Sequence, residues 1–387
     1  VSGRGASHDH RRSRTVSWRP TSTNPSDRAI RRDAAIVTRA RHCATRPAAG
    51  PATSWTATPC TRGSRCSSTP VTDRVLSTRE LNRALLARQL LLERSPLPPT
   101  RAIERVAGLQ TQYAPSAYVG LWSRLRDFRR DALTTALQRR RAVQATLMRQ
   151  TIHVVSARDY PLLAEAIREP RRAWWRRVQG RQSEGVDMDA VAALLREHLA
   201  AGPRRQAELT SLLAAEGFPA VAWSGAGLWL DMVRVPPSGT WEQRRADLYG
   251  LAEDWLGGWK VTEAEGLEHL VRRYLGGFGP ASVQDTASWA GLPLTTVRPA
   301  LERLGVRRFR DEQGRELFDL RRAPLPHPET PAPVRFLPTW DATLLVHARR
   351  TQVLPERYRG LVFSTKTPHS VGTFLVDGAV AGSWRHE

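Results

Sequence analysis

Residues 282–304 read SVQDTASWAGLPLTTVRPALERL, and this stretch decides the fold. Ser282 to Ala290 forms one predicted helix, Gly291-Leu292-Pro293 a turn, and Thr295 to Leu304 a second helix. A predicted hairpin with Gln313-Gly314 at its tip follows, the wing that completes a winged helix-turn-helix. Just upstream, Thr262 and Glu265 make a capping box that opens a helix running to Tyr274, and Gly276 to Pro280 breaks it.

The same succession is found twice more toward the N-terminus. In one copy, Ser77 is a good N-cap with Glu80 at the capping-box position, and Leu81, Leu85 and Leu86 begin an apolar face. Pro96, Pro98 and Pro99 end that helix. Further helices are predicted over roughly Thr100 to Gly108, Ala117 to Leu125 and 131–140, before a β-rich run from Val143 to Val155. The other copy begins near Asp187, with helices over about 189–200 and from Arg204 to Ala215. Its wing is placed at Trp229 to Val235, with a turn at Pro236-Pro237-Ser238-Gly239 and then Trp241.

The expected fold class is therefore mainly α with small β wings: three tandem winged-helix units over 73–184, 185–260 and 261–322. A Pro-rich linker at 323–333 and a β-rich segment complete residues 323–387. In that segment Asp377-Gly378 signals a hairpin, and the chain is expected to be truncated in its second strand.

Residues 1–72 contrast with all of this. The first 70 contain no Leu, Glu, Lys, Phe or Tyr, but 13 Arg against three Asp, so they have too little apolar content for a core. They read as a disordered basic segment, either an arm for DNA or an extraneous product of an upstream start. The abrupt change at Val71-Thr72-Asp73 favours the second reading.

Across the chain, Lys and Arg outnumber Asp and Glu by 59 to 37, a net charge of +22. Lys260 and Lys366 are the only lysines, so nearly every cation is a guanidinium, the group suited to phosphate forks and base edges. Double-stranded DNA is the expected partner, ahead of an anionic membrane. No apolar run of spanning length and no leader is legible, so no membrane association and a cytoplasmic location are expected. Cys43, Cys60 and Cys66 fit neither a zinc ribbon nor a disulfide framework, and the histidines show no metal-ligand spacing. No metal and no small-molecule cofactor are expected, and the protein is read as a monomer.

Gly108-Leu109-Gln110-Thr111-Gln112-Tyr113 is the stretch most suggestive of chemistry. If the chain is extended after Gly108, the two-residue period points Gln110 and Gln112 the same way, whereas a helix would separate them by about 200°. The alternative is an exposed polar loop. Arg149, Thr151 and His153 alternate and would share a strand face, either as DNA contacts or, for His153, as a structural group. The Arg171, Arg172, Trp174, Trp175, Arg176, Arg177 cluster is a candidate phosphate contact or a solvated helix face. Asp341, His347 and Arg350 form a polar cluster, read as a DNA channel or as a buried structural ion pair.

The order of these motifs resembles the AlkZ/YcaQ-type winged-helix DNA glycosylases over residues 74–387. The likeness is carried by Leu76 to Asn82, Gly108 to Gln112, Gly120 to Arg124, Met148 to His153, Val235 to Trp241, Leu337 to Asp341 and Val376 to Gly378. The resemblance implies three tandem winged helices and a β-rich C-terminal part. It makes Gln110 and Gln112 the catalytic pair, in the Gln-x-Gln branch rather than the Gln-x-Asp branch. It implies hydrolysis of the N-glycosidic bond of N7-alkylated purines, including bulky or crosslinked adducts, in DNA repair or antibiotic self-resistance. The family pattern has Gly where Gln150 stands here.

No lysine lies near the glutamines in sequence, which disfavours a Schiff-base lyase. The rival from another class is a noncatalytic winged-helix regulator, which would read sequence with one recognition helix and usually dimerise. Removing residues 1–70 is expected to leave folding intact. A truncated protein that is insoluble, or that melts well below the full chain in a thermal scan, would contradict the reading of that segment.

Overall fold

A computed structural model gives the architecture. The chain divides into two units, Val1–Thr58 and Pro59–Glu387, and the structure describes residues 74–345, 351–363 and 371–385, all in the second. No helix among them is long and apolar enough to cross a membrane.

Strand β1 (Val75–Leu76) leads into helix α1 (Thr78–Arg88) at the expected cap. Ser77 Oγ accepts from the Glu80 amide at 3.2 Å, and Glu80 in return accepts from the Ser77 amide at 2.9 Å. Proline at the first helical position starts α2 (Pro99–Arg105), where its missing N–H costs nothing. Strand β2 (Leu109–Gln110), α3 (Pro115–Arg124) and α4 (Arg130–Gln138) follow, and then β3 (Ala142–Thr146) and β4 (Ile152–Ser156). Ile103, Leu121, Leu133 and Val154 close the core among these elements.

Helix α5 (Tyr160–Gln179) is 20 residues long and carries the basic run around Arg171. It is followed by α6 (Met188–Ala200), β5 (Arg204–Arg205), α7 (Gln206–Ala215), α8 (Val221–Trp229), β6 (Met232–Arg234) and β7 (Leu248–Leu251). Trp229 thus ends a helix instead of opening a wing, and β6 pairs with a strand beyond the predicted turn. The α8 sequence gives no helical polar–apolar period and carries two glycines. One of them is needed for packing: a Cβ on Gly225 would lie 2.8 Å from the ring of Trp175, which is buried in this core.

The expected third unit has α9 (Glu263–Phe278), α10 (Val283–Ala290), α11 (Leu294–Arg303), β8 (Arg307–Asp311) and β9 (Glu316–Asp319). Gly291 ends α10 with φ 72°, the left-handed turn that aims α11. Tyr274, Phe278 and Trp289 stack with centroids 5.1–6.0 Å apart. Last come β10 (Arg335–Leu337), β11 (Gly372–Val376) and β12 (Ala379–Trp384), an antiparallel sheet turned by Asp377 and Gly378, both at positive φ.

The β structure is more connected than separate wings would be. Strands of the first two expected units join one six-stranded sheet, β2-β4-β3-β6-β7-β5, through the Gln144–Arg234 pairing. Strand β1 adds parallel to β8, so the start of the described chain makes a three-stranded sheet with β8 and β9.

Buried ion pairs tie α1 and α3 to distant segments. Arg88 donates to both carboxylate oxygens of Asp319 at 2.6 and 3.0 Å. Arg124 donates to both oxygens of Asp341 at 2.9 Å, and each partner side chain is 1 % exposed. Burial alone would raise the Asp341 pKa, yet Arg124 and Thr343 hold it below the ordinary carboxylate range. The partner of Asp341 is thus Arg124, outside the expected cluster; His347 and Arg350 lie outside the described residues. Asp341→Ala leaves Arg124 buried without its counter-ion, and a loss of about 3–5 kcal/mol is expected in urea unfolding. A loss below about 1 kcal/mol would show that the pair does not hold α3 in place.

Candidate active site

The glutamine pair sits where β2 meets β4. Gln110 is opposite His153 in the antiparallel ladder, and the Thr111 amide donates to the Ile152 carbonyl at 2.8 Å. Beyond that point the side chain of Gln112 extends the ladder: its Oε1 accepts from the Ile152 amide at 2.7 Å. Gln110 Oε1 accepts from Arg149 Nη2, also at 2.7 Å. Gln110 therefore engages the short segment joining β3 to β4, and Gln112 the first residue of β4. Gln110 is 7 % exposed, whereas Gln112 is exposed. Each amide oxygen has already accepted one hydrogen bond and keeps a second lone pair.

That joining segment corrects the reading of Arg149, Thr151 and His153 as one strand face. Met148–Gln150 is a 3-10 turn, with Arg149 at φ 55° and Gln150 at φ 57°. The strand begins only at Ile152. Left-handed backbone is costly for residues with a Cβ, and it explains the glycine of the family pattern at position 150. Gln150 keeps the left-handed path without being glycine, and this was the one sequence signal that could have revealed the turn. Arg149 Nη1 also donates to the Trp289 carbonyl, at the end of α10, so the turn is clamped between β2 and the helix-turn-helix.

Thr151 and His153 do neighbour each other, with Thr151 Oγ1 3.5 Å from the ring Nδ1. His153 is 2 % exposed, and Nδ1 lies 3.0 Å from the Thr151 carbonyl. Burial, with the Arg149 charge beside it, pushes its pKa down to about 3. It is a neutral packing group, not a surface cation for phosphate.

The basic run on α5 divides by depth. Arg171 is 3 % exposed, lies 4.8 Å from the Trp174 ring, and has two nitrogens, Nε and Nη2, without a hydrogen-bond partner among the described residues. Burial and the nearby Arg149 lower its pKa to about 10. Arg172 is held by the Leu228 carbonyl at 2.8 Å and by Glu169 at 2.7 Å. Arg176 and Arg177 are the exposed cations of the run. Trp175 is buried and Trp174 is not, so only one of the two indoles belongs to a core.

Fixed amide oxygens beside a charged, partly desolvated arginine pair can position a water and stabilise developing positive charge, with anionic phosphates balancing the arginines. Comparison with known proteins bears on this geometry. The solved structure of Streptomyces sahachiroi DNA glycosylase AlkZ is similar, with a TM-score of 0.67 at 18% sequence identity, covering 80% of this chain and 88% of that one. At that identity the likeness is one of fold. Among curated proteins, none matches. The family model described as DNA glycosylase AlkZ-like matches residues 103–387, a span that includes the glutamine pair, the turn that clamps it and the basic face of α5. The chain belongs to the AlkZ-like DNA glycosylase family.

Proposed function

We propose that this protein is a monofunctional DNA glycosylase that releases N7-alkylated purines from double-stranded DNA, with Gln110 and Gln112 as its catalytic residues. The observation carrying this reading is that two neutral amides are each fixed by a hydrogen bond, Gln110 by Arg149 on the β3–β4 turn and Gln112 by the Ile152 amide just past it. Family membership supports the glycosylase class.

The chemistry suits neutral amides. Alkylation at N7 makes the purine cationic, so when the C1′–N9 bond breaks its electron pair neutralises the leaving base. No strong acid is required. Water then bonds to C1′ and releases a proton to solvent. The free lone pairs of Gln110 and Gln112 Oε1 can hold that water and face the cation-like sugar, with little reorganisation because their first hydrogen bonds are already made. An amide has no useful basicity, which restricts such a site to labile, charged lesions. Bulky or crosslinked N7 adducts carry the same charge and belong to the same substrate class.

Arg149 and Arg171 bring positive charge close to Gln110, and the phosphates of bound DNA are the natural counter-ions. Arg176 and Arg177 extend this charge along α5. Thr151, His153 and Arg172 support the arrangement from within the fold.

Gln110→Ala and Gln112→Ala are each expected to slow base release from N7-methylguanine DNA by about 10- to 1,000-fold, while duplex affinity stays near parental. Gln112→Asp restores the family's other pair and should retain release. Parental rates in both alanine variants would remove these residues from the mechanism. The pH profile is a separate check. Neither glutamine titrates, and His153 is neutral above about pH 3, so single-turnover release should be level between about pH 6 and 8. A steep limb with a midpoint in that window would place a titrating acid or base in the reaction.

A further inference from the structure

The glutamines occupy one end of the β2–β4 ladder, where Gln112 meets Ile152. At the other end, α2 leads toward β2 through Arg105, and β4 leads toward α5 through Arg158. From Ile152 to Ser156 the strand rises about 13 Å, so the two ends are well separated. An open pocket of about 480 Å3 lies at this second end, lined by Gly276 of α9, Leu320 just past β9, and five arginines: Arg101, Arg105, Arg158, Arg272 and Arg273.

Carboxylates serve only some of these cations. Arg101 Nη1 donates to Glu104 Oε2 at 2.6 Å, and Arg273 Nη2 stands 3.7 Å from the same oxygen, so two of the guanidinium groups converge there. Arg273 Nη2 also donates at 2.7 Å to Asp159 Oδ1, which His269 Nε2 meets at 2.9 Å. Burial alone would raise the Asp159 pKa, yet His269 and Arg273 hold it below the ordinary carboxylate range, so its charge is already engaged. Arg272 pairs with Glu268, one turn earlier on α9. Arg105 and Arg158 are exposed and have no ion pair or side-chain hydrogen bond among the described residues. Partial burial and the charge of Arg88 lower the Arg105 pKa, a penalty that a bound anion relieves. Arg101 is 57% exposed and Arg272 55%, so a ligand in the pocket can reach this cluster from solvent.

We infer that this pocket binds a phosphate group, with Arg105 and Arg158 as its free guanidinium forks and Arg101, Arg272 and Arg273 supplying the surrounding positive field. Paired N–H donors match phosphate oxygens, and a concave set of cations focuses the potential more than the same charges spread over a flat surface. The site is distinct from the basic face of α5, because that helix rises about 24 Å between Tyr160 and Arg176. It shares no residue with the glutamine pair, so the inference stands apart from the glycosylase reading. A DNA backbone and a free polyphosphate present the same oxygens, and the experiment tells the two sources apart.

The full chain, titrated calorimetrically with pyrophosphate in chloride buffer, is expected to bind it with a Kd below about 1 mM. Arg105→Ala and Arg158→Ala should each weaken that binding about five- to tenfold, and both should fold as the parent does because neither side chain has a partner to lose. Arg126→Ala removes the same unit of charge outside the pocket and should bind pyrophosphate as the parent does. The salt dependence of binding to an undamaged duplex then identifies the source. A slope reduced by about one in each pocket variant assigns the phosphate to a DNA backbone; parental slopes with weakened pyrophosphate binding assign it to a free polyphosphate. The inference is overturned if pyrophosphate does not bind at millimolar concentration, if both pocket variants bind it as the parent does, or if Arg126→Ala weakens it equally. None of these readouts requires base release, so the glycosylase reading can fail or hold separately.

Discussion

Two consecutive residues in left-handed backbone, Arg149 and Gln150, are the constraint on which the site depends. Each such residue costs roughly 1–2 kcal/mol when it carries a Cβ. The surrounding contacts offset that cost: Arg149 reaches both the Trp289 carbonyl and Gln110, and the Ile152 amide just past the turn donates to Gln112. Through this turn β2, β4 and the helix-turn-helix of α10 and α11 become one arrangement. Gln150, on the same turn, is among the residues lining a cavity of about 240 Å3 beside α5 and α8. A glutamine rather than a glycine here gives up backbone ease, the kind of local strain that persists at functional sites.

The arginines divide into two populations with different physical roles. Arg83, Arg88, Arg124, Arg171 and Arg234 are buried, and the first three bond to aspartates brought in from remote segments. These three pairs cancel within the net charge of +22, so of the five only Arg171 and Arg234 withdraw uncompensated charge from a polyanion. What faces solvent is a narrower set, with Arg176 and Arg177 on α5 among it. The planar fork of arginine suits both tasks, bidentate pairing inside and phosphate contact outside. Lysine would serve the first poorly, and its near absence fits a fold that uses so many internal guanidinium groups.

Sheet continuity is what makes the neighbouring helical units cooperate. A single pairing, Gln144 with Arg234, carries the sheet from the β2–β4–β3 side to the β6–β7–β5 side. Arg234 on that junction also lines the cavity, and β3 leads directly into the strained turn. The cavity and the glutamine pair thus sit on one continuous sheet.

Local signals were legible from the sequence alone. The capping boxes at Ser77 and Thr262, the turn at Gly291 and the Asp377-Gly378 hairpin all occur where the residues indicated, because each is fixed by hydrogen bonds or φ preferences within a few residues. The two-residue spacing of Gln110 and Gln112 was likewise visible, together with its departure from helical geometry. Other features depended on partners far away in the chain. Helix α8 lacked a polar–apolar period because its small residues serve the Trp175 core, and Arg149 left the expected strand because Trp289 and Gln110 hold it in a turn. The burial of His153, the fusion of two expected wings into one sheet and the choice of Asp341 by Arg124, 217 residues away, were decided only by tertiary packing. Hydrogen bonding over one helical turn is written into neighbouring residues, but which buried guanidinium meets which carboxylate is set by the space left when the whole chain has packed.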